Sequence, residues 1–159
     1  MRYLIFSDTH RMTENMMMVI RRHGAGADGV VHLGDVVADV RPITAEFAGI
    51  PLYQVPGNND FGYQGRQDLL LELDGHVLFL THGHRYGVRT GTERLRDAAR
   101  EKGADIVLYG HTHIPYEERI GQLHIFNPGS ISRPYEGYPS YGIMDLSADE
   151  VRLTQVPIL

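Results

Sequence analysis

The chain has 159 residues, 42% of them hydrophobic and 22% charged, with no cysteine and a formal net charge of −5. These values fit one globular domain over residues 1–159 with a single sizeable core, and they exclude a disulfide framework or a thiolate metal site. No apolar run is long enough for a membrane span, and no basic block or aromatic-interleaved basic stripe points to dedicated nucleic-acid binding.

Met1-Arg2 leads directly into the strand-like Tyr3-Leu4-Ile5-Phe6, which leaves no room for a signal peptide, so a cytoplasmic location is expected. That first strand runs into Ser7-Asp8-Thr9-His10, a carboxylate and an imidazole two residues apart. A helix follows, with Thr13 as its cap, Met16, Met17 and Ile20 on the inward face, and Gly24 to Gly26 as its end. Asp28 to Leu33 predicts a second strand that delivers Gly34-Asp35. A helical segment around Pro42 to Phe47 precedes a third strand, Pro51 to Val55, which ends in the turn-rich Pro56-Gly57-Asn58-Asn59-Asp60. This is a βαβαβ pattern, and in open α/β sheets ligands bind outside the carboxyl ends of the strands.

Leu69 to Leu73 and His76 to Leu80 flank Asp74-Gly75, a two-residue hairpin signal, and the second arm runs into Thr81-His82-Gly83-His84. Thr90-Gly91-Thr92-Glu93 has the form of a capping box opening a helix with Leu95, Ala98 and Ala99 inward and Gly103 as its stop. Ala104 to Tyr109 then reads as a short buried strand that ends in Gly110-His111-Thr112-His113. Alternate residues of an extended segment point the same way, so His111 and His113 can converge on one site. The remainder is mainly β, with strands at Tyr116 to Ile120, Leu123 to Phe126, Ser140 to Leu146 and Val151 to Val156.

Five separate elements therefore end in potential ligands: Asp8 and His10, Asp35, Asn58, His82, and His111 with His113. Any one of them has an ordinary structural explanation as a cap, a turn former or a solvated imidazole. A hydrophobic core, however, does not call for a carboxylate or imidazole at each strand exit. His23, His32, His76 and His124 lie outside these exits and read as surface or core histidines.

Asp8-Thr9-His10, Gly34-Asp35, Gly57-Asn58-Asn59-Asp60, His82-Gly83-His84 and Gly110-His111-Thr112-His113, continued by Asn127-Pro128-Gly129-Ser130, resemble in order the motif blocks of calcineurin-like metallophosphoesterases. The small size is similar to the compact bacterial and archaeal phosphodiesterase branch, which also contains the retromer subunit Vps29. The resemblance implies a four-layer α/β/β/α sandwich of the metallophosphoesterase type. It also implies two divalent transition-metal ions, with Mn expected and Fe, Ni or Zn compatible with mixed N/O ligation. One metal would take Asp8, His10 and His113, the other Asn58, His82 and His111, with Asp35 bridging. A metal-bridging hydroxide would then attack phosphorus in line, which makes the expected activity that of a phosphodiesterase. The alternatives are a non-catalytic Vps29-like scaffold, or a phosphomonoesterase or nucleotide pyrophosphatase.

Two bound dications would bring the net charge to about −1, compatible with a small phosphate-ester substrate. Family members commonly carry histidine where this chain has Asn59. Asn59, Asp60 and His84 are the catalytic candidates, and Asn59, His84 and Arg133 the substrate-side contacts. A rim short of cationic donors would favour a diester monoanion over a monoester dianion. A homodimer is expected to use Tyr135, Tyr138 and Tyr141, since tyrosine is enriched at interfaces.

Overall fold

The computed structural model describes residues 1–159. In chain order the elements are β1 (Arg2–Phe6), α1 (Glu14–His23), β2 (Gly29–His32), α2 (Arg41–Glu46), β3 (Leu52–Gln54), β4 (Asp68–Leu73), β5 (His76–Thr81), α3 (Glu93–Glu101), β6 (Ile106–Leu108), β7 (Tyr116–Ile120), β8 (Leu123–Asn127), β9 (Ser140–Ser147) and β10 (Glu150–Pro157). They form two five-stranded sheets, ordered β10-β9-β1-β2-β3 and β4-β5-β6-β8-β7.

Alternation along the strands builds the layers. In β1, Tyr3 and Ile5 face the space between the sheets, while Leu4 and Phe6 face α1 and α2. In β5 and β6, Leu78, Leu80, Ile106 and Leu108 enter the same inter-sheet core, while Phe79 and Val107 meet Leu95 and Ala99 of α3. Three apolar clusters thus separate helix, sheet, sheet and helix, which is the four-layer sandwich expected from the sequence.

Strands β1, β2 and β3 are mutually parallel, as are β5, β6 and β8. Parallel neighbours release their carboxyl ends at one edge of each sheet. Hydrogen bonds join the two edges, with His82 Nδ1 donating to the Leu33 carbonyl at 2.6 Å and His111 N to Asp8 Oδ2 at 3.1 Å. The hairpin turn at Asp74-Gly75 forms as expected, with both residues at positive φ, 51° and 84°.

Two expectations are corrected. The capping box at Thr90 does not form, because α3 starts at Glu93 with Thr92 at its cap. Thr90 Oγ1 donates to the Gly87 carbonyl of its own turn, and the Thr92 hydroxyl donates to the distant Glu118 Oε2, so neither is left to cap the helix. Tyr141 is also no interface residue. It is buried against α1 and stacked on Phe6 at 5.9 Å between ring centroids. Tyr138 and Tyr135 are both exposed, and Tyr135 also packs on the site described next.

Candidate metal centre

Each strand exit must turn sharply to aim a side chain back over the sheet edge, and the backbone shows it. Asp8, His10, Asp35, His111 and His113 all have positive φ, between 42° and 70°. The left-handed region costs a non-glycine residue ~1–3 kcal/mol, so it persists only where surroundings over-determine it. Here the Asp8 amide donates to the Gly34 carbonyl at 2.9 Å, and the hydroxyls of Ser130 and Ser132 donate to the Asp8 carbonyl at 2.9 and 3.0 Å. Gly57 and Gly110 are required for a different reason. A side chain at Gly57 would overlap the Asp35 carboxylate, and one at Gly110 would overlap Ser7 Oγ.

The result is a convergence of donor atoms with few partners of their own. Asp8 Oδ1 is buried and accepts no hydrogen bond, and Nε2 of His113, His10 and His82 stands 3.3, 3.8 and 3.8 Å from it. The Nε2 atoms of His10 and His113 lie 3.1 Å apart. Asp35 Oδ2 is 3.4 Å from His82 Nε2 and 3.8 Å from His10 Nε2. Asn58 Oδ1 completes that side, 3.1 Å from His82 Nε2. Two ligand groups result, Asp8 with His10 and His113, and Asp8 with Asp35 and His82. The first matches the expected set. The second holds His82 and the expected bridge Asp35 together with Asp8, and Asn58 adjoins it. His111 packs edge-on beside His82, with centroids 5.1 Å apart, and its Nε2 accepts from Arg89 Nε at 3.0 Å.

This donor set fits divalent cations. His82 and His113 each bond a main-chain carbonyl through Nδ1, of Leu33 and Arg133, both at 2.6 Å. Such bonds set the tautomer and aim Nε2 inward, as metal-ligating histidines require. Burial alone would raise the Asp35 carboxyl. The hydrogen bond and charge of His82 and two Asn59 donors outweigh it and hold Asp35 below the carboxylate range. Burial likewise opposes charge on His82 and His113, yet the facing carboxylates of Asp35 and Asp8 respectively raise both. A cation would take the place of those protons. His111 is pushed down to about 4 by burial and by the charges of His82 and Arg89.

The other candidates occupy distinct places. Asn59 faces the cavity, but its Nδ2 donates to Asp35 Oδ2 at 2.7 Å and its backbone N to Asp35 Oδ1 at 3.0 Å, so it orients that carboxylate. Asp60 sits behind the ligands and clamps the loop, accepting from Val37 N at 2.8 Å and Gly57 N at 2.7 Å. His84 lies against His82 and His111, 5.4 and 6.0 Å between centroids. Arg133 lines the ligand cavity together with Arg89, Asn59 and Tyr135. The rim therefore carries two guanidinium groups, which removes the expectation of a site short of cationic donors.

Several residues behind the site escaped sequence reasoning. His32 is fully buried and bonds Thr9 Oγ1 at 3.2 Å, while its Nδ1 accepts from Gly34 N at 3.3 Å. Burial lowers it to about 4, so it stays neutral. The Thr9 hydroxyl donates to Asp39 Oδ2 and lies 3.1 Å from the Asp35 carbonyl. Nothing in the local sequence separates His32 or Asp39 from an ordinary strand or cap residue. Arg89 and Tyr135 lie in rim loops where no motif marks a function.

Comparison with known proteins agrees with the geometry. The family described as the calcineurin-like phosphoesterase superfamily domain matches residues 1–149. A probable metallophosphoesterase of Bacillus subtilis is 34% identical over 94% of this chain and 86% of its own length. A phosphodiesterase of Methanocaldococcus jannaschii is 28% identical over 93% of this chain and 95% of its own. Among solved structures, a Vps29 variant from Entamoeba histolytica has the same fold, with a TM-score of 0.79 at 19% identity and full coverage of both chains.

Proposed function

Since the chain belongs to the calcineurin-like phosphoesterase superfamily, and so is a metal-dependent phosphoester hydrolase, we propose that it is a two-metal phosphodiesterase acting as one domain over residues 1–159. The observation that carries this reading is the pair of ligand groups that meet at the buried Asp8, with His10, Asp35 and His113 of those groups lining a cavity of ≈ 240 Å³. Bound divalent cations would supply charge for the phosphoryl oxygens and acidify a water at neutral pH.

The chain's own residues do the rest. Asp8, His10 and His113 would hold one cation, and Asn58, His82 and His111 the other, although the His111 ring now accepts from Arg89. Asp35 lies between the two groups, and Asn59 keeps its carboxylate turned inward. Arg89 and Arg133 flank the cavity and offer donors to the non-bridging phosphate oxygens. Imidazole and carboxylate donors without thiolate accept Mn, Fe, Ni or Zn, and we take Mn as the working metal.

Cleavage of diesters is favoured by shape. The ligand cavity shares Arg89 and Tyr135 with a cavity of ≈ 600 Å³ on one side. It shares His10, Asn59 and Arg133 with one of ≈ 340 Å³ on the other. A diester has two arms to place, a monoester one. The phosphodiesterase name of the archaeal relative supports the same choice. A Vps29-like scaffold is the weaker reading, because the suitable residue is retained at all seven expected ligand positions.

The test is metal analysis of purified protein followed by matched esters. Bis(4-nitrophenyl) phosphate should be hydrolysed with Mn²⁺, faster than 4-nitrophenyl phosphate, and chelation should abolish both activities. Retention of at most one metal after full reconstitution would remove the two-metal assignment, and faster monoester cleavage would remove the diesterase one.

A further inference from the structure

The larger of the two flanking cavities has a character of its own. Its apolar walls come from Val88, Ile114, Tyr116 and Tyr135, contributed by the loop before α3, the chain after His113, the start of β7 and the loop after β8. Ile114, Tyr116 and Tyr135 are 38%, 41% and 61% exposed, so three large apolar or aromatic side chains line one recess instead of packing into the core. Aromatic side chains held open in this way are costly unless something covers them, and a cavity of this size suits an organic group.

The polar groups in the same recess are tied to one another, with one carboxylate in excess away from Arg89. Arg96 lies 3.6 Å from both Glu93 and Glu118. Glu118 Oε2 also accepts from the hydroxyls of Thr92 and Tyr116, each at 3.0 Å, which fixes the Tyr116 ring as a wall. The one guanidinium not answered by a carboxylate is Arg89, and it stands at the boundary with the ligand cavity, bonded to His111. Tyr135 stacks on His113, 4.8 Å between centroids and 18° from parallel, and so forms a flat surface that runs from the ligands into the recess. Positive charge is therefore concentrated where a phosphate would sit, and the recess where its substituent would lie offers no unpaired cation.

We propose that this recess, bounded by Ile114, Tyr116, Tyr135 and Arg89, is the subsite for a planar aromatic, uncharged arm of the phosphate-ester substrate. The proposal rests on the phosphoesterase reading above and adds to it the class of substituent. An arm carrying a second phosphate would meet Glu93 and Glu118 with no free cation beyond Arg89, and a small alkyl arm would leave most of the aromatic walls uncovered. An aryl ring or a nucleobase satisfies both conditions, with one face on tyrosine and its edge toward the neutralised Arg96–Glu118 pair.

Binding measured apart from turnover tests this. The Mn-loaded protein is titrated calorimetrically with methylphosphonate and with phenylphosphonate, which present the same anion without and with a ring. Phenylphosphonate should bind about 10- to 50-fold tighter, the return on covering one ring with apolar and aromatic walls. Ile114→Trp, which fills the recess, and Tyr116→Ala, which removes a wall, should both cut that ratio to about 3-fold or less. Tyr116→Phe should keep it. Binding of methylphosphonate with no gain from the ring, or a gain that survives both Ile114→Trp and Tyr116→Ala, overturns the subsite and leaves the phosphodiesterase reading standing. No binding of either anion, together with no metal-dependent hydrolysis, overturns both. With the subsite upheld, thymidine 5′-(4-nitrophenyl) phosphate against phenyl 4-nitrophenyl phosphate tells which ring it prefers.

Discussion

Replacing Asp35 by asparagine should disable the metal centre while leaving the fold nearly untouched. Asp35 is 2% exposed, and its carboxylate approaches His82 and His10 while accepting two hydrogen bonds from Asn59. Asparagine has the same shape and tolerates the φ of 42° found here. The cost to the metal-free protein is one of the two Asn59 bonds, because an amide nitrogen cannot accept where a carboxylate oxygen did, together with the attraction between the carboxylate and His82 at 3.4 Å. That is ~1–3 kcal/mol, or ~2–12 °C in Tm for a chain of this size.

The metal-bound protein loses far more. A cation at 100 times its Kd stabilises the native state by about 2.7 kcal/mol per site, which corresponds to ~5–11 °C in Tm. Removing the negative charge between the two ligand groups should weaken metal binding beyond the ~10–100-fold seen for changes behind the ligands. The assay is thermal unfolding of wild type and Asp35→Asn with chelator and with excess Mn²⁺, alongside hydrolysis of bis(4-nitrophenyl) phosphate. Wild type should gain the full increment with metal and the variant little of it, with activity down by at least ~10²-fold. An unchanged metal-dependent increment in the variant would refute the placement of Asp35 at the centre. A large loss of Tm in the presence of chelator would instead show that its role is structural.

Asn59→Ala leaves Asp35 Oδ2 without its 2.7 Å donor, so Mn²⁺ affinity should fall by ~10-fold or more in a calorimetric titration. Unchanged affinity would leave Asn59 with the catalytic or substrate-side role expected of it from the sequence. Thr9→Val keeps the shape but deprives buried His32 and Asp39 of a partner. It should cost ~1–3 kcal/mol on denaturation and ~10–100-fold in kcat. Normal turnover would show that the loop at Asp8 holds its geometry without this network. His76, far from the metal centre, joins the sheets by bonding Asp105 Oδ2 at 2.7 Å and the Ser147 carbonyl at 2.8 Å. Burial opposes its charge, but these partners raise it above its ordinary 6.5. Its contribution is therefore fully present below pH ~6.5 and lost as pH rises through the higher folded value. The Tm difference between wild type and His76→Gln should be largest near pH 6 and shrink above that window, and a difference that grows toward alkaline pH would contradict the assignment.

The sequence by itself marked the strands and the candidate ligands, because both are written in short-range pattern, and resemblance to the family supplied the four layers. Apolar runs such as Leu78-Phe79-Leu80 and Ile106-Val107-Leu108 call for cover on both faces, which the structure gives as a sheet on one side and a helix on the other. The strand exits at Asp8, Asp35, Asn58, His82 and His111 follow directly from where those patterns stop. Only the tertiary structure decided which atoms meet. Asp8 reaches both ligand groups because residues far along the chain, Ser130 and Ser132, pin its carbonyl and hold its backbone at positive φ. His32 and Asp39 became supports of the site, and Tyr141 a core residue, through contacts that no local window contains. Thr92 abandoned its cap for Glu118 for the same reason: a partner brought close by folding outweighs one that is merely near in sequence.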